Sequence, residues 1–258
     1  MIKFFRHIRQ SLIMENKTSK YLKYAIGEIV LVVIGILIAL SINNWNTGRL
    51  ERLEEKKILI SVKKDLENTI REFQFLEDIR KKIVSASNEI FALGTSSAID
   101  KKKLDSLIAF TFYRPTFNNT QGTIELLFTS GRINMIQNDS IRDFLIAWPG
   151  NIEDMTEEEV YAMTVFQESY YPLLSKYIVI SDVVEKNKSL SVFGSSIYNE
   201  TFPKIPFESD YENLLKDKAF YSHLRMRAAH MEITSNDCED LIKKAQATID
   251  LIDKEIKK

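Results

Sequence analysis

Side chains able to act as nucleophile, base or metal ligand are sparse in this 258-residue chain, which has one cysteine and three histidines. His7 lies in a basic amino-terminal stretch, and His223 and His230 stand seven apart with Arg227 between them. That spacing puts both rings on one helical face, where they read as a solvated flank; acid–base or metal chemistry would need further ligands that no spacing supplies. Cys238 falls on an apolar seam and reads as a small apolar group. Glu157, Glu158 and Glu159 open a long helical segment, where negative charge favours the positive end of the helix dipole. There is no HExxH, GxSxG, glycine-rich phosphate loop or Cys/His cluster, so no catalytic, cofactor-binding or metal residue is assigned and no cofactor is expected. An enzyme would have to converge its residues in the middle segment, around Tyr161, Glu168, Tyr170 and Tyr171. N-x-S/T triplets at Asn118, Asn138, Asn187 and Asn199 are glycan acceptors only in a secretory pathway that reads them.

The elements that would position these residues begin with an anchor. Tyr24 to Ile42 reads YAIGEIVLVVIGILIALSI, nineteen residues with Glu28 as the one ionisable group, a helix of roughly 28 Å at helical rise. Twelve of the nineteen are Ile, Leu or Val, and at about −0.3 to −0.6 kcal/mol each they outweigh the roughly 3 kcal/mol that one acid costs at mid-membrane. Tyr24 and Trp45 flank the run as interface anchors, as aromatic rings do at the headgroup level. A cleaved signal peptide fits less well, because apolar residues run through the only cleavage-like site, Ala39-Leu40-Ser41, and bulky Ile42 and Trp45 follow. A single-pass transmembrane helix in a lipid bilayer is therefore expected.

Six basic residues precede the span (Lys3, Arg6, Arg9, Lys17, Lys20, Lys23) and four follow closely (Arg49, Arg52, Lys56, Lys57), which favours a cytoplasmic amino terminus. The expected location is a bacterial inner membrane, with residues 1–23 as a cytoplasmic basic amphipathic tail, 24–42 as the span and 43–258 as an exported, periplasmic helical domain. Glu28, inside the span, can reach outward to the interface or to Lys23. Alternatively a second helix satisfies it: Glu28 and Gly35 are seven apart, and Gly35 with Ala39 forms a small-xxx-small pair that lets two helices approach closely. A homodimer would follow.

The block MIKFFRHIRQSLIMENKTSKYLKYAIGEIVLVVIGILIALSINNWN resembles an uncharacterised family of bacterial single-pass membrane proteins. Its members open with a basic amphipathic stretch, a KYLxYAIGEIxLVVIGILIAL-like span and an NNWN-like exit. ELLFTSGRINMIQNDSIRDFL at 125–145 looks like a unit that recurs in the same family. The resemblance implies membrane location and architecture; the family has no established activity, so it implies no site residue.

Behind the span the chain reads as all-α. Only eight Gly and five Pro are too few to punctuate a many-stranded sheet. Leu59, Val62, Leu66, Thr69, Phe73, Leu76 and Ile83 keep a 3-4 spacing that Arg80 alone breaks, giving one helix over 48–93 that Gly94 ends. Leu224, Ala228, Met231, Ser235, Cys238, Ile242, Ala245, Ile249, Ile252 and Ile256 form a second seam in a helix over 218–258. An antiparallel coiled-coil-like pair is expected, with shorter helices over 100–217 at its far end; the rival is a parallel coiled coil between two chains. The intervening helices are expected near 101–112, 121–130, 140–148 and 152–180, the last kinked at Pro172, and at 210–217. Asp139 is expected to cap the helix from Ser140, and Ser209 with Glu212 to form a capping box. Residues 181–206 read as a loop pinned to the bundle by Phe193, Tyr198, Phe202 and Phe207.

A formal net charge of −1 gives no bulk attraction to phosphate backbones, so no nucleic-acid partner is expected. With long seams and no catalytic motif, the leading expectation is a membrane-anchored scaffold or assembly module that contacts an unknown membrane or periplasmic protein. A small-ligand sensor signalling through a partner is the alternative, and an enzyme with a site in the middle segment the third.

Overall fold

The computed structural model describes residues 18–94, 100–118, 122–186 and 205–258, and among them every regular element is helical. The chain divides into two compact units, residues 1–57 and 58–258. Helix α1, Thr18–Gly94, contributes to both. In the first unit it carries the apolar run: Ile29, Leu31, Leu37 and their neighbours are exposed, and this is the one helix among the described residues long and apolar enough to cross a membrane.

The second unit contains the rest of α1, then α2 (Lys101–Thr111), α3 (Gly122–Thr129), a 3₁₀ turn (Arg132–Met135) and α4 (Asp139–Val165). A π turn (Phe166–Tyr170) leads into α5 (Tyr171–Tyr177), followed by α6 (Ile180–Lys186), α7 (Tyr211–Leu214) and α8 (Lys218–Ile256). The two long helices lie antiparallel. Lys63 pairs with Asp253 at 2.6 Å, Arg80 meets Cys238 further along, and a Cβ on Gly94 would fall 1.8 Å from the hydroxyl of Tyr221. A side chain at Gly94 would therefore have to displace the Tyr221 ring. Helix α4 also runs antiparallel to α8, with Asn138 on Glu255, Lys244 on Asn151 and Tyr161 against His230. Because α8 touches one helix on each side, it buries two adjacent stripes. Cys238, Ala245, Ile249 and Ile252 are buried as the seam predicts, and Thr234, Leu241 and Thr248 beside them are buried as well.

Local chemistry sets the boundaries, and in several places it differs from the expectation. Asn138, not Asp139, caps α4, its side chain accepting from the Ile141 N–H at 3.2 Å while Asp139 sits in the first turn. Asp210 caps α7 by accepting from Asn213 N, and the Ser209 hydroxyl instead accepts from Val179 N at 3.0 Å. The two helices expected over 140–148 and 152–180 are one through Pro149, and the break falls at the π turn, where the Tyr171 N–H reaches back five residues to the Phe166 carbonyl. Pro172 then lies in the first turn of α5, where its missing N–H costs little. Residues 181–186, expected as loop, are helical, and Phe207 is 74% exposed, not pinned. Phe193, Tyr198 and Phe202 lie outside the described residues.

The apolar interior is in two parts. One core gathers Val62, Leu66, Phe73, Leu145, Trp148 and Ile249; the other gathers Ile90, Ile108, Phe112, Tyr170, Phe220 and Leu224. Each fully buried Leu, Ile or Phe contributes about 1.5–3 kcal/mol. Between the cores the apolar contact shrinks to Ile83, Ala162 and Met231. Polar side chains occupy the rest of that level.

Candidate functional site: a polar layer between two cores

Arg80 projects from α1 into this level and is 1% exposed. Its Nη2 donates to Glu159 Oε1 of α4 at 2.6 Å, and its Nη1 lies 3.4 Å from Cys238 Sγ of α8. The second carboxylate oxygen of Glu159 accepts the Phe117 backbone N–H at 2.8 Å. Two donors therefore converge on one buried carboxylate, the arrangement that makes burying an ion pair tolerable. Burial still raises the Glu159 carboxyl above its ordinary value, with the Phe117 N–H and the Arg80 guanidinium pulling the other way. Burial also lifts the Cys238 thiol to about 11, which keeps it protonated and unreactive at neutral pH.

The segment after α2 is held against α1 by further carboxylates. Glu72 accepts from Asn118 N at 2.9 Å and Asp65 from Thr123 N at 2.8 Å. These bonds place Phe117 where its N–H meets Glu159, and they place the Tyr113 carbonyl against α8.

That carbonyl accepts from Nη2 of a second buried arginine, Arg227, which lies eleven residues before Cys238 on α8 and is 4% exposed. The guanidinium carbon of Arg227 stands 4.9 Å from the centroid of the Phe166 ring in the π turn, a cation–π contact. Among the described residues Arg227 has no ion pair; its Nε, like that of Arg80, is buried without a hydrogen-bond partner. Burial lowers its proton affinity to about 10, against a weaker pull upward from Tyr170. His230, one turn on, is 6% exposed, and neither ring nitrogen has a partner. Its ring meets Tyr161 edge to face at 5.2 Å, and burial lowers its pKa against the pull of Glu158. Arg80 is thus paired with a carboxylate, whereas Arg227 meets a carbonyl and a ring face.

The expectation for Arg227 and His230 as a solvated flank is overturned: the second stripe of α8 faces α4, so both are interior. The expectation for Glu159 as dipole chemistry alone also fails, because its carboxylate is inside. The sequence carried a signal for this: Ile152, Met155, Glu159, Ala162 and Phe166 follow a 3-4 spacing and all five are buried. The middle-segment residues considered for an enzyme do not converge. Tyr170 is buried, its hydroxyl 3.1 Å from that of Thr111, whereas Tyr161, Glu168 and Tyr171 are exposed. Among the described residues no group of three or more His, Cys, Asp or Glu could hold a metal ion. A cavity of about 240 Å³ between α1 and α8, lined by Phe73, Glu77, Cys238 and Ile242, opens on the Cys238 side of the layer.

Of the residues singled out in the apolar run, Gly35 and Ala39 face open space and a Cβ on Gly35 would meet nothing within 4 Å. Glu28 is partly exposed and Trp45 is 70% exposed. The side chain of Tyr24 lies outside the described residues.

One family model matches residues 28–188, and it describes a family of unknown function (DUF6090). The matched stretch contains Arg80 and Glu159 and ends before α8. Searches of curated proteins and of solved structures gave no match.

Proposed function

The chain belongs to DUF6090, a family of unknown function, and from that premise we propose that it is a membrane-anchored helical scaffold that works through protein contacts. The observation that carries this reading is α1, whose exposed apolar stretch continues as regular helix into residues that form the bundle core. Such a stretch costs little only in lipid, since an uncovered apolar helix of this length would associate in water. The proposed placement is a bacterial inner membrane with the amino terminus cytoplasmic and the helical domain periplasmic, supported by the excess of Lys and Arg before the span. The partner is a membrane or periplasmic protein, or a second copy meeting this one through the Glu28, Gly35 and Ala39 face.

Crosslinking in intact cells, followed by identification of what is joined to the full-length chain, tests the scaffold. A distinct membrane or periplasmic protein, or a second copy, joined reproducibly is expected, and the absence of both under conditions that trap known neighbours refutes the reading. The second-copy version makes a separate prediction. Gly35→Leu adds a side chain where the chain's own fold leaves room, so it should lower self-association in membranes and leave bundle melting unchanged. Undiminished self-association removes that face as the contact.

A further inference from the structure

We infer that the Arg227–His230 edge of the polar layer is a binding site for a monocarboxylate with a small apolar body. Among the described residues Arg227 is a buried cation with no ion pair, and its Nε–H, like that of Arg80, has no acceptor. The neutral His230 ring has one N–H to give and finds nothing to receive it. Both donors are on one face of α8, three residues apart, the spacing at which side chains on a helix meet. A carboxylate has two oxygens and one negative charge. It would satisfy both donors and pair the charge of Arg227, the charges of Arg80 and Glu159 being already paired with each other. A phosphate dianion would overshoot that charge and would need donors the edge does not have.

The surroundings select the rest of the ligand. Phe166 lies under the guanidinium, Ala162 is buried on the same helix, and the Tyr161 ring, 56% exposed, separates His230 from solvent. Entry is on the Tyr161 side, where the ring yields its place to the ligand's apolar part. Glu158 is the acid that acts on His230 from outside, and it disfavours a ligand with a second negative charge. The lowered proton affinity of Arg227 agrees with a cation that lacks its anion. This site is independent of the tethering role, and either can fail without the other.

Calorimetric titration of the full-length protein in detergent micelles with sodium benzoate tests it, at fixed ionic strength, with protein-free micelles as blank and acetate and inorganic phosphate in parallel. Benzoate should saturate one site per chain, acetate should bind more weakly, and phosphate should show no saturable heat. Arg227→Gln and His230→Phe should each weaken benzoate about tenfold or more, the effect of losing one charge-assisted hydrogen bond, with helical circular dichroism unchanged. Two variants guard against one that misfolds. No saturable benzoate binding, equal binding of phosphate, or undiminished affinity in a folded Arg227→Gln or His230→Phe would overturn the site.

Discussion

Two arginines are buried in one helical bundle, one opposite Cys238 and the other eleven residues back along α8, about 16 Å at helical rise, and their surroundings differ. Arg80 has a carboxylate at 2.6 Å that is itself fixed by a backbone N–H, so the charge is matched by the fold. Arg227 has a carbonyl, the face of a phenylalanine and an unpartnered histidine one turn away. A buried cation without an anion costs several kcal/mol that a hydrocarbon side chain of similar volume would not. The first arginine therefore joins α1 to α4 and α8, and the second holds a charge for something the chain does not supply.

Removing one partner of the matched pair should give the largest effect. Arg80→Met leaves Glu159 buried and uncompensated, which should cost about 3–5 kcal/mol, read as a lower melting temperature of the full-length protein in detergent. The double variant Arg80→Met with Glu159→Met should recover most of that loss; if it melts no higher than the single variant, the pair is not the source of the coupling. Glu159→Gln should cost less, roughly 1–3 kcal/mol, because an amide keeps a hydrogen bond to Arg80 or to the Phe117 N–H. This variant turns Arg80 into a second Arg227, a cation without an anion, and a cost equal to that of Arg80→Met would break the comparison.

The smallest expected effect is on the pH profile. The folded-state pKa of His230 is depressed by burial, so the unfolded chain takes up its proton first as pH falls. The contribution of His230 to stability is complete above about pH 6.5, the unfolded value, and is lost as pH drops from there toward the folded value. Melting temperature should decline over that window in the wild type, and His230→Phe should flatten the decline. An unchanged slope in the variant would place the titration on another group.

The all-α architecture and the antiparallel pairing of the long helices were legible because both rest on periodicity, and a 3-4 spacing over many turns has few other readings. Arg80 was visible as the single interruption of its seam. Its partner was not, since Glu159 lies in a different helix and stands within a run of three acids that reads as a helix start, whereas α4 begins at Asp139. His230 and Arg227 were assigned to solvent because one stripe was counted on α8, whereas a helix between two neighbours buries two. Helix α4 runs unbroken through Pro149 because Leu145, Trp148 and Ile152 on either side of it pack into the first core. Caps at Asn138 and Asp210 were each missed by one residue, the usual margin where several Asp, Asn and Ser stand together.

The most direct test is to melt the full-length wild type, Arg80→Met and Arg227→Met side by side at neutral pH. The matched and unmatched readings predict a large loss for Arg80→Met and, for Arg227→Met, a change within about 1 kcal/mol, because the lost carbonyl bond and ring contact are offset by the relief of an unpaired buried charge. Equal losses in the two variants would show that Arg227 is as fully compensated by this fold as Arg80, and the distinction between the two ends of the polar layer would be contradicted.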